Sequence, residues 1–284
     1  MNILVTGASG FIGSALIPHL TRAGHRVTPL RIRDTLDVPL QGTLDAAIHL
    51  AGENIAQRWT PSAKARIRDS RVHSTESISR ALANLDPRPR VLLSASGIGF
   101  YGDRGDESLT EESSLGEGFL PDICRQWETA CASASKAGMR VVNLRFGVVL
   151  DPSGGALKKM LPPFRAGVGG RVGSGKQYWS WITRDDAIRA IDHALNNDSV
   201  RGPVNVVSPT PVRNSEFTQA LARVLHRPAI FPVPRFALRL LVGEMADAAL
   251  LASARVIPQR LQQTGFQFAD AALEPALRKI LAPR

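Results

Sequence analysis

The glycine-rich segment ILVTGASGFIGSAL at the start of the chain constrains the fold more than any other feature. Its glycines, Gly7, Gly10 and Gly13, directly follow an apolar, strand-like run and open an amphipathic, helix-like run. We expect a tight turn at Gly7, close approach of the backbone to a pyrophosphate at Gly10, and close packing of helix on strand at Gly13. The helix N-terminus would then present free N–H groups and a positive dipole to the phosphates. The segment therefore predicts a dinucleotide site.

Apolar, β-branched runs alternate with amphipathic runs along the chain, which predicts βαβ units and a parallel sheet. The predicted strands are residues 3–6, 26–30, 46–51, 90–94, 140–144 and 203–207, and the predicted helices are residues 12–23, 61–84, 120–137 and 184–196. We assign residues 1–150, with returns at about 184–207, to a Rossmann-type α/β domain, and residues 151–183 and 208–284 to a smaller C-terminal substrate lobe. The short interval 31–45 predicts that one helix or strand of the full doubly wound fold is reduced to a loop.

The formal net charge of +10 is spread along the chain rather than concentrated. Its densest run, RWTPSAKARIRDSRVHS at residues 58–74, lacks the interleaved aromatic residues of a single-strand binder. We therefore expect no nucleic-acid partner. The run is typical either of a solvated basic face or of a site for an anionic small molecule.

The two cysteines, Cys124 and Cys131, lie seven residues apart on one predicted helix, which puts them too far apart for a disulfide. No apolar run approaches the ~20 residues that a membrane span needs. We predict a cytoplasmic protein without a membrane partner and without a metal site, and we leave its oligomeric state open.

The residues at the end of the second predicted strand indicate whether the dinucleotide is NAD(H) or NADP(H). An acidic residue there would bind the adenosine ribose 2′-OH, whereas arginine would accept a 2′-phosphate. The sequence HRVTPLRIRD has Arg31 and Arg33 at the expected place, with Asp34 one residue later. This pattern favours NADP(H) over NAD(H). The alternative is that both arginines are ordinary surface charges.

Several segments resemble the extended short-chain dehydrogenase/reductase superfamily, whose members include nucleoside-diphosphate-sugar epimerases. TGASGFIG, AAIHLAGEN, LLSASGIGFYG and LRFGVVLDP occur in the order and spacing of that superfamily. AGENIAQRWTPSAKARIRDSRVHST, YGDRGDESLTEESS, GGALKKMLPPFRAGVGG and the C-terminal tail are similar to an atypical branch, the YfcH-like or SDR39U1-like epimerase-family proteins. The resemblance covers essentially the whole chain and implies an NAD(P)-binding Rossmann domain.

The resemblance also implies which residues contact the cofactor. The segment 50–52 would pass beside the cofactor ribose, Arg71 would reach the cofactor from the following helix, and residues 147–148 would lie near the nicotinamide. Together with Arg31 and Arg33, the predicted cofactor-binding residues are Gly7, Ser9, Gly10, Phe11, Ile12, Gly13, Leu50, Ala51, Gly52, Arg71, Ser94, Gly147 and Val148.

The acid/base pair of the superfamily is missing from this chain. The resemblance implies a strand-end serine, a tyrosine that handles the proton, and a lysine four residues later that lowers the tyrosine pKa and holds the nicotinamide ribose. Ser96 fits the serine. Neither tyrosine of the chain, Tyr101 or Tyr178, is followed by lysine four residues later. Alignment on the Trp-Glu pair puts Leu120 and Cys124 at the tyrosine and lysine positions.

Leucine carries no proton, and a thiol does not replace an ammonium that depresses a neighbour's pKa. The substitute candidates are Ser96 with Tyr101 or Glu53. Tyr101 could instead only shape the pocket, and Glu53 could instead cap a helix or lie in a solvated loop. Cys124 is interpreted as a small buried helix residue rather than a nucleophile or redox sensor.

Two functions follow from these observations. The first is an oxidoreductase or sugar-nucleotide epimerase that acts on an unidentified small molecule with a non-standard active site. The second is a non-catalytic sensor that binds NADP(H), for example one linked to cell division. The aromatic segment QYWSW at residues 177–181 is equally consistent with a substrate-stacking surface and with a packing plug between the lobes.

Overall fold

The structure, a computed structural model, describes residues 1–32 and 42–282. Its strands are β1 (Asn2–Thr6), β2 (Arg26–Leu30), β3 (Ala46–His49), β4 (Val91–Gly97), β5 (Ser108–Leu109), β6 (Arg140–Phe146), β7 (Val148–Leu150), β8 (Tyr178–Trp179), β9 (Trp181–Thr183), β10 (Gly202–Val206), β11 (Val212–Arg213) and β12 (Arg255–Val256). Its α-helices are α1 (Gly13–Arg22), α2 (Pro61–Ala83), α3 (Phe119–Thr129), α4 (Ala132–Lys136), α5 (Gly155–Arg165), α6 (Arg184–Asn196), α7 (Asn214–Leu225), α8 (Arg235–Val242), α9 (Gln259–Gln263) and α10 (Leu273–Leu281). A 3₁₀-helix spans Ile98–Tyr101, and a π-helix spans Ala246–Leu251.

A six-stranded sheet in the order β2-β1-β3-β4-β6-β10 forms the centre of the molecule, and all of its strand pairs are parallel. The strands β3 and β4 are buried almost throughout because helices cover both faces of the sheet. The predicted Rossmann-type α/β fold is confirmed. Since the strands are parallel, the segments that follow β1, β3, β4 and β6 meet at one edge of the sheet.

Each predicted strand of the central sheet is present, with boundaries shifted by three residues or fewer. The helix predicted over residues 120–137 is wrong in one respect, because the structure has two helices, α3 and α4. The backbone N–H of Ala134 donates to Ser79 Oγ of α2 at 2.9 Å, so it does not continue the ladder of α3. Cys124 and Cys131 therefore do not share one helix, although both are free and buried.

The strand β2 is the edge of the sheet within the described part of the chain. Within the interval 31–45, the described residues 31–32 and 42–45 form neither helix nor strand. Arg33 and Asp34 lie outside the described residues.

The buried side chains form several separate clusters. The sheet packs against α1 and α6 on one face and against α2 and α4 on the other. A further cluster joins α5, α7 and α10 around Trp179 and Trp181, which are 8% and 0% exposed. The tryptophans of the segment 177–181 are therefore packing residues of the second lobe. None of the described helices has the length and apolar character that crossing a bilayer requires.

Candidate cofactor and active site

The glycine loop between β1 and α1 approaches its neighbours too closely for side chains at two positions. Gly7 has φ +69°, and a Cβ atom there would lie 2.7 Å from the carbonyl carbon of Leu50. A Cβ atom at Gly13 would lie 2.2 Å from the carbonyl oxygen of Gly7. The first contact holds the loop against the segment after β3, and the second holds the start of α1 against the loop.

The loop leaves backbone donors free at the start of α1. The N–H of Gly10 donates to the carbonyl oxygen of Gly7 at 2.9 Å and closes the turn. No side chain caps α1 at Ile12, and within the described residues the N–H groups of Phe11 and Ile12 make no hydrogen bond. Ser9 and Gly10 are exposed. These free donors at a positive helix end suit the diphosphate of a dinucleotide.

Phe11 attaches the glycine loop to the second lobe. Cβ atoms at Gly154 and Gly155 would lie 2.4 and 2.9 Å from ring atoms of Phe11. The guanidinium of Arg184 lies 5.4 Å from the centre of the same ring. The Phe11 side chain is thus a packing group, and its backbone is the part left for a cofactor.

Arg71 of α2 lies beside the loop that follows β3. A Cβ atom at Gly52 would lie 3.3 Å from Arg71 Cζ, and the guanidinium lies 4.9 Å from the centre of the Trp127 ring. Its Nη1 donates to the carbonyl oxygen of Ile67 at 3.1 Å, and its other N–H groups have no partner among residues 1–32 and 42–282. Burial lowers the pKa of Arg71, although the nearby Cys124 and Glu53 act in the opposite direction.

Trp127 adds a second free donor to this region. Its side chain is 7% exposed, and its Nε1 is buried without a hydrogen-bond partner in the described part of the chain. Buried indole N–H groups usually have an acceptor. An orphaned donor next to an arginine with free N–H groups indicates a place for a ligand rich in oxygen.

Leu120 and Cys124, at the positions where the resemblance places tyrosine and lysine, form an apolar wall. A Cβ atom at Gly99 would lie 3.2 Å from Leu120 Cβ and 3.7 Å from Cys124 Sγ, and one at Gly97 would lie 4.0 Å from that sulfur. Burial, with a smaller contribution from Glu128, raises the pKa of Cys124 to about 11. The thiol is therefore neutral at physiological pH, which supports its interpretation as a buried helix residue.

Ser96 is held by an ion pair that the sequence analysis missed. Its Oγ donates to Glu128 Oε1 at 2.8 Å, and Arg145 donates to both oxygens of Glu128, from Nε at 2.7 Å and from Nη2 at 2.8 Å. The Ser96 proton therefore points to Glu128. Both members of this ion pair lie in motifs that the sequence analysis had singled out: Glu128 in the Trp-Glu pair and Arg145 in LRFG.

Tyr101, one of the two candidate substitutes for the acid/base tyrosine, is fully buried. Its hydroxyl donates to Asn205 Oδ1 at 2.7 Å and accepts from Arg145 Nη1 at 2.9 Å. Burial raises the pKa of Tyr101 despite the opposing effect of Arg145. This placement favours the alternative, in which Tyr101 shapes the structure, over proton transfer to a ligand.

Glu53 lies in the loop after β3, on the same side as Arg71. It is half-buried, its backbone N–H donates to Ser70 Oγ at 3.0 Å, and its Oε1 accepts from Gln57 Nε2 at 3.2 Å. Its second carboxylate oxygen has no hydrogen-bond partner among the described residues. Glu53 is thus the one predicted acid/base residue that the structure leaves available.

The other predicted cofactor residues lie at different depths. Ser94 is fully buried in β4, where it pairs with His49 at the end of β3. Gly147 follows β6, and its N–H donates to Val206 O at 3.2 Å. Arg31 is exposed after the edge strand.

A cleft of about 760 Å³ separates the first lobe from the C-terminal segment and has Leu120 of the apolar wall in its lining. Gln177 also lines it and is 7% exposed. Its Nε2 donates to the carbonyl oxygens of Val172 and Leu250, at 3.0 and 3.2 Å, which leaves its Oε1 as an oriented acceptor. The cleft is large enough for a small molecule.

Comparisons with known proteins agree with this geometry. Residues 3–207 match the NAD dependent epimerase/dehydratase family, and residues 233–280 match a domain of unknown function, DUF1731. The epimerase family protein Mb2239 of Mycobacterium bovis is 41% identical over 290 residues, which cover 97% of this chain and 96% of that protein. The chloroplastic SDR39U1 homolog of Arabidopsis thaliana is 38% identical over 304 residues, which cover 99% of this chain and 87% of the homolog.

A solved structure is similar over the same length. The crystal structure of human epimerase family protein SDR39U1 (isoform 2) with NADPH has a TM-score of 0.93 and 34% identity, and the match covers 99% of both chains.

Proposed function

Because the chain belongs to the NAD dependent epimerase/dehydratase family, we propose that it binds NADP(H) and transfers hydride to or from a small molecule without a Tyr-x-x-x-Lys pair. This membership confirms the resemblance to the atypical extended short-chain dehydrogenase/reductases and the NAD(P)-binding fold. The observation that carries the proposal is the glycine loop, in which Gly7 and Gly13 admit no side chain and the N–H groups of Phe11 and Ile12 have no partner in the part of the chain that the structure describes.

The choice of NADP(H) over NAD(H) rests on Arg31 and on the NADPH bound by the human relative. An exposed guanidinium after the second strand is placed to accept a 2′-phosphate. Replacement of Arg31 by Ala should weaken binding of NADPH more than binding of NADH. Titration calorimetry with both cofactors measures this ratio, and an unchanged ratio would remove Arg31 from the proposal.

In this proposal, Arg71 replaces the missing lysine as the source of positive charge. It supplies a positive charge beside Cys124, the position where the resemblance places lysine, but it reaches that position from α2 instead of α3. Its free N–H groups would hold oxygens of the nicotinamide ribose or of the substrate. The Trp127 stacking contact and the bond to Ile67 O fix its orientation.

Bound NADPH would supply the hydride, and this chain's residues would arrange charge and protons around it. A reduced carbonyl becomes an alkoxide that needs a positive neighbour and then a proton. Arg71 would provide the charge, and the half-buried Glu53 carboxylate beside it would take up a proton from solvent and pass it to the alkoxide. The neutral wall of Leu120 and Cys124 contributes shape and excludes water on its side.

Paired variants test this assignment. The experiment follows label from 4-deuterated NADPH into products of a small-metabolite extract. Arg71→Met should abolish the transfer, Arg71→Lys should retain part of it, and Glu53→Gln should lower it with NADPH affinity unchanged. Full transfer by both Arg71→Met and Glu53→Gln would contradict the roles given to these residues.

A second function, a non-catalytic NADP(H) sensor, is favoured by the apolar wall itself. Leu120 and Cys124 remove both members of the usual acid/base pair, and Tyr101 is buried. Tight, stoichiometric NADPH binding without label transfer to any extract component would support the sensor over the enzyme.

A further inference from the structure

The C-terminal segment carries an exposed apolar surface that neither proposed function uses. Five large apolar side chains fall within residues 230–241, and their exposed fractions range from 55% to 74%. They are Ile230, Phe231, Phe236, Leu240 and Leu241. Phe236 and Leu240 are four residues apart on α8 and so share one face of that helix. We call this set the 230–241 surface. Exposed apolar clusters of this kind usually contact a partner or a membrane.

The same segment is uniformly basic. From residue 217 to residue 243 the sequence has no aspartate or glutamate and contains four arginines. Arg223 and Arg227, together with Arg278, line the same open depression as Ile230. Arg235 and Arg239 share the single carboxylate of Asp247, so this group keeps a net positive charge. Positive charge therefore borders the apolar side chains.

We propose that the 230–241 surface binds the headgroup and acyl-chain boundary of an anionic lipid bilayer. Phenylalanine and leucine on one helix face, bordered by arginines, are the pattern of a helix that lies in the plane of such an interface. The arginines complement anionic headgroups. A second copy of the chain is a poorer occupant, because a twofold contact would bring this basic surface against itself. Binding in the surface plane requires no membrane-spanning helix.

Flotation of the full chain with vesicles tests the proposal. One set of vesicles contains equal parts of phosphatidylglycerol and phosphatidylcholine, and the other contains phosphatidylcholine alone. We expect the protein to float with the anionic vesicles only, and the bound fraction to fall as salt rises. The double variant Phe236→Ser/Leu240→Ser should lower the partition coefficient about tenfold or more, because it removes two large apolar side chains from the contact.

The control is Leu115→Ser, which changes an exposed large apolar side chain outside the 230–241 surface. This control should bind vesicles as the unmodified protein does. NADPH titration and circular dichroism of each variant show whether it is folded, independently of lipid binding.

Absence of flotation with the anionic vesicles overturns the proposal. Equal binding by the Phe236→Ser/Leu240→Ser variant overturns it as well. Sedimentation that shows a dimer which the same variant dissociates would assign the 230–241 surface to a second copy of the chain instead.

Discussion

His49 lies at the carboxyl end of β3, directly below the glycine loop. It is fully buried, with Nδ1 2.6 Å from Thr6 Oγ1 and Nε2 3.3 Å from Ser74 Oγ. Burial lowers the pKa of His49 from 6.5 to about 4. The imidazole is therefore neutral in the folded protein across the physiological range, and it joins β1, β3 and α2 through neutral hydrogen bonds.

This pKa predicts an acid-sensitive stability. Below pH 6.5 the unfolded chain binds a proton at His49, whereas the folded chain binds it only near pH 4. The contribution of neutral His49 to the free energy of unfolding is complete above pH 6.5. About 3 kcal/mol of that free energy is lost as pH falls to 4. Urea unfolding at pH 7 and pH 4.5 measures the loss. His49→Asn should show a smaller loss between these pH values, and an equal loss would contradict the prediction.

The two thiols give a second prediction at the residue scale. Burial raises the pKa of Cys124 to about 11 and that of Cys131 to about 12. Because the thiolate is the reactive form, neither should react readily with a disulfide reagent in the native protein at pH 8. Denaturant should release both thiols. Rapid native reaction at Cys124, located by peptide mapping, would restore the nucleophile or redox-sensor interpretation.

At the scale of elements, Tyr101 connects parts of the chain that are far apart in sequence. Its hydroxyl bonds Asn205 of β10 and Arg145 of β6, and Arg145 continues to Glu128 of α3. The backbone N–H of Asn205 in turn donates to Glu111 Oε1 at 2.9 Å. The connection joins the 3₁₀-helix, β6, β10 and α3 and extends to Glu111.

Tyr101→Phe should therefore lower the free energy of unfolding by about 1–3 kcal/mol, since it removes the hydroxyl that bonds Asn205 Oδ1 and Arg145 Nη1. The NADPH dissociation constant should stay within about twofold of its original value, since Tyr101 lies below the cofactor site. Chemical unfolding and calorimetry measure the two quantities. A large loss of cofactor affinity with unchanged stability would return Tyr101 to the active site.

The sequence predicted the sheet because its inner strands β1, β3, β4 and β6 are short, mostly apolar runs, and their side chains are largely buried. It did not predict the break between α3 and α4, because the break depends on a bond from Ala134 to Ser79, a residue 55 positions away. The burial of Tyr101 likewise depends on Asn205, 104 positions away. Glycine spacing predicted the loop well, since backbone geometry there is a local property, whereas proton-handling residues depend on tertiary contacts.

At the scale of the whole molecule, we expect the two proposed lobes to meet beside the glycine loop. Phe11 packs against Gly154 and Gly155 of the second lobe, and the cleft lies between that lobe's loops and the segment before α3. A ligand at the loop thus touches the junction of the lobes. We expect bound cofactor to stabilise the entire fold by mass action.

Thermal unfolding tests this expectation. NADPH at one hundred times its dissociation constant should add about 2.7 kcal/mol of stability, seen as one cooperative transition at higher temperature. Two transitions, of which NADPH shifts only one, would show that the lobes unfold independently and that the cofactor contacts one of them.

The central claim is that main-chain donors at the start of α1 bind the cofactor's diphosphate, and titration calorimetry with NADPH and NADH tests it most directly. The account predicts one NADPH per chain, with affinity at least about tenfold weaker in Gly13→Ala, whose methyl group would collide with the Gly7 carbonyl oxygen. Gly24→Ala, where a Cβ atom meets nothing within 4 Å but φ is +82°, is the control for loss of stability alone: it should be less stable and still bind NADPH as the unmodified chain does. No binding of either cofactor, or full affinity in Gly13→Ala, would contradict the account.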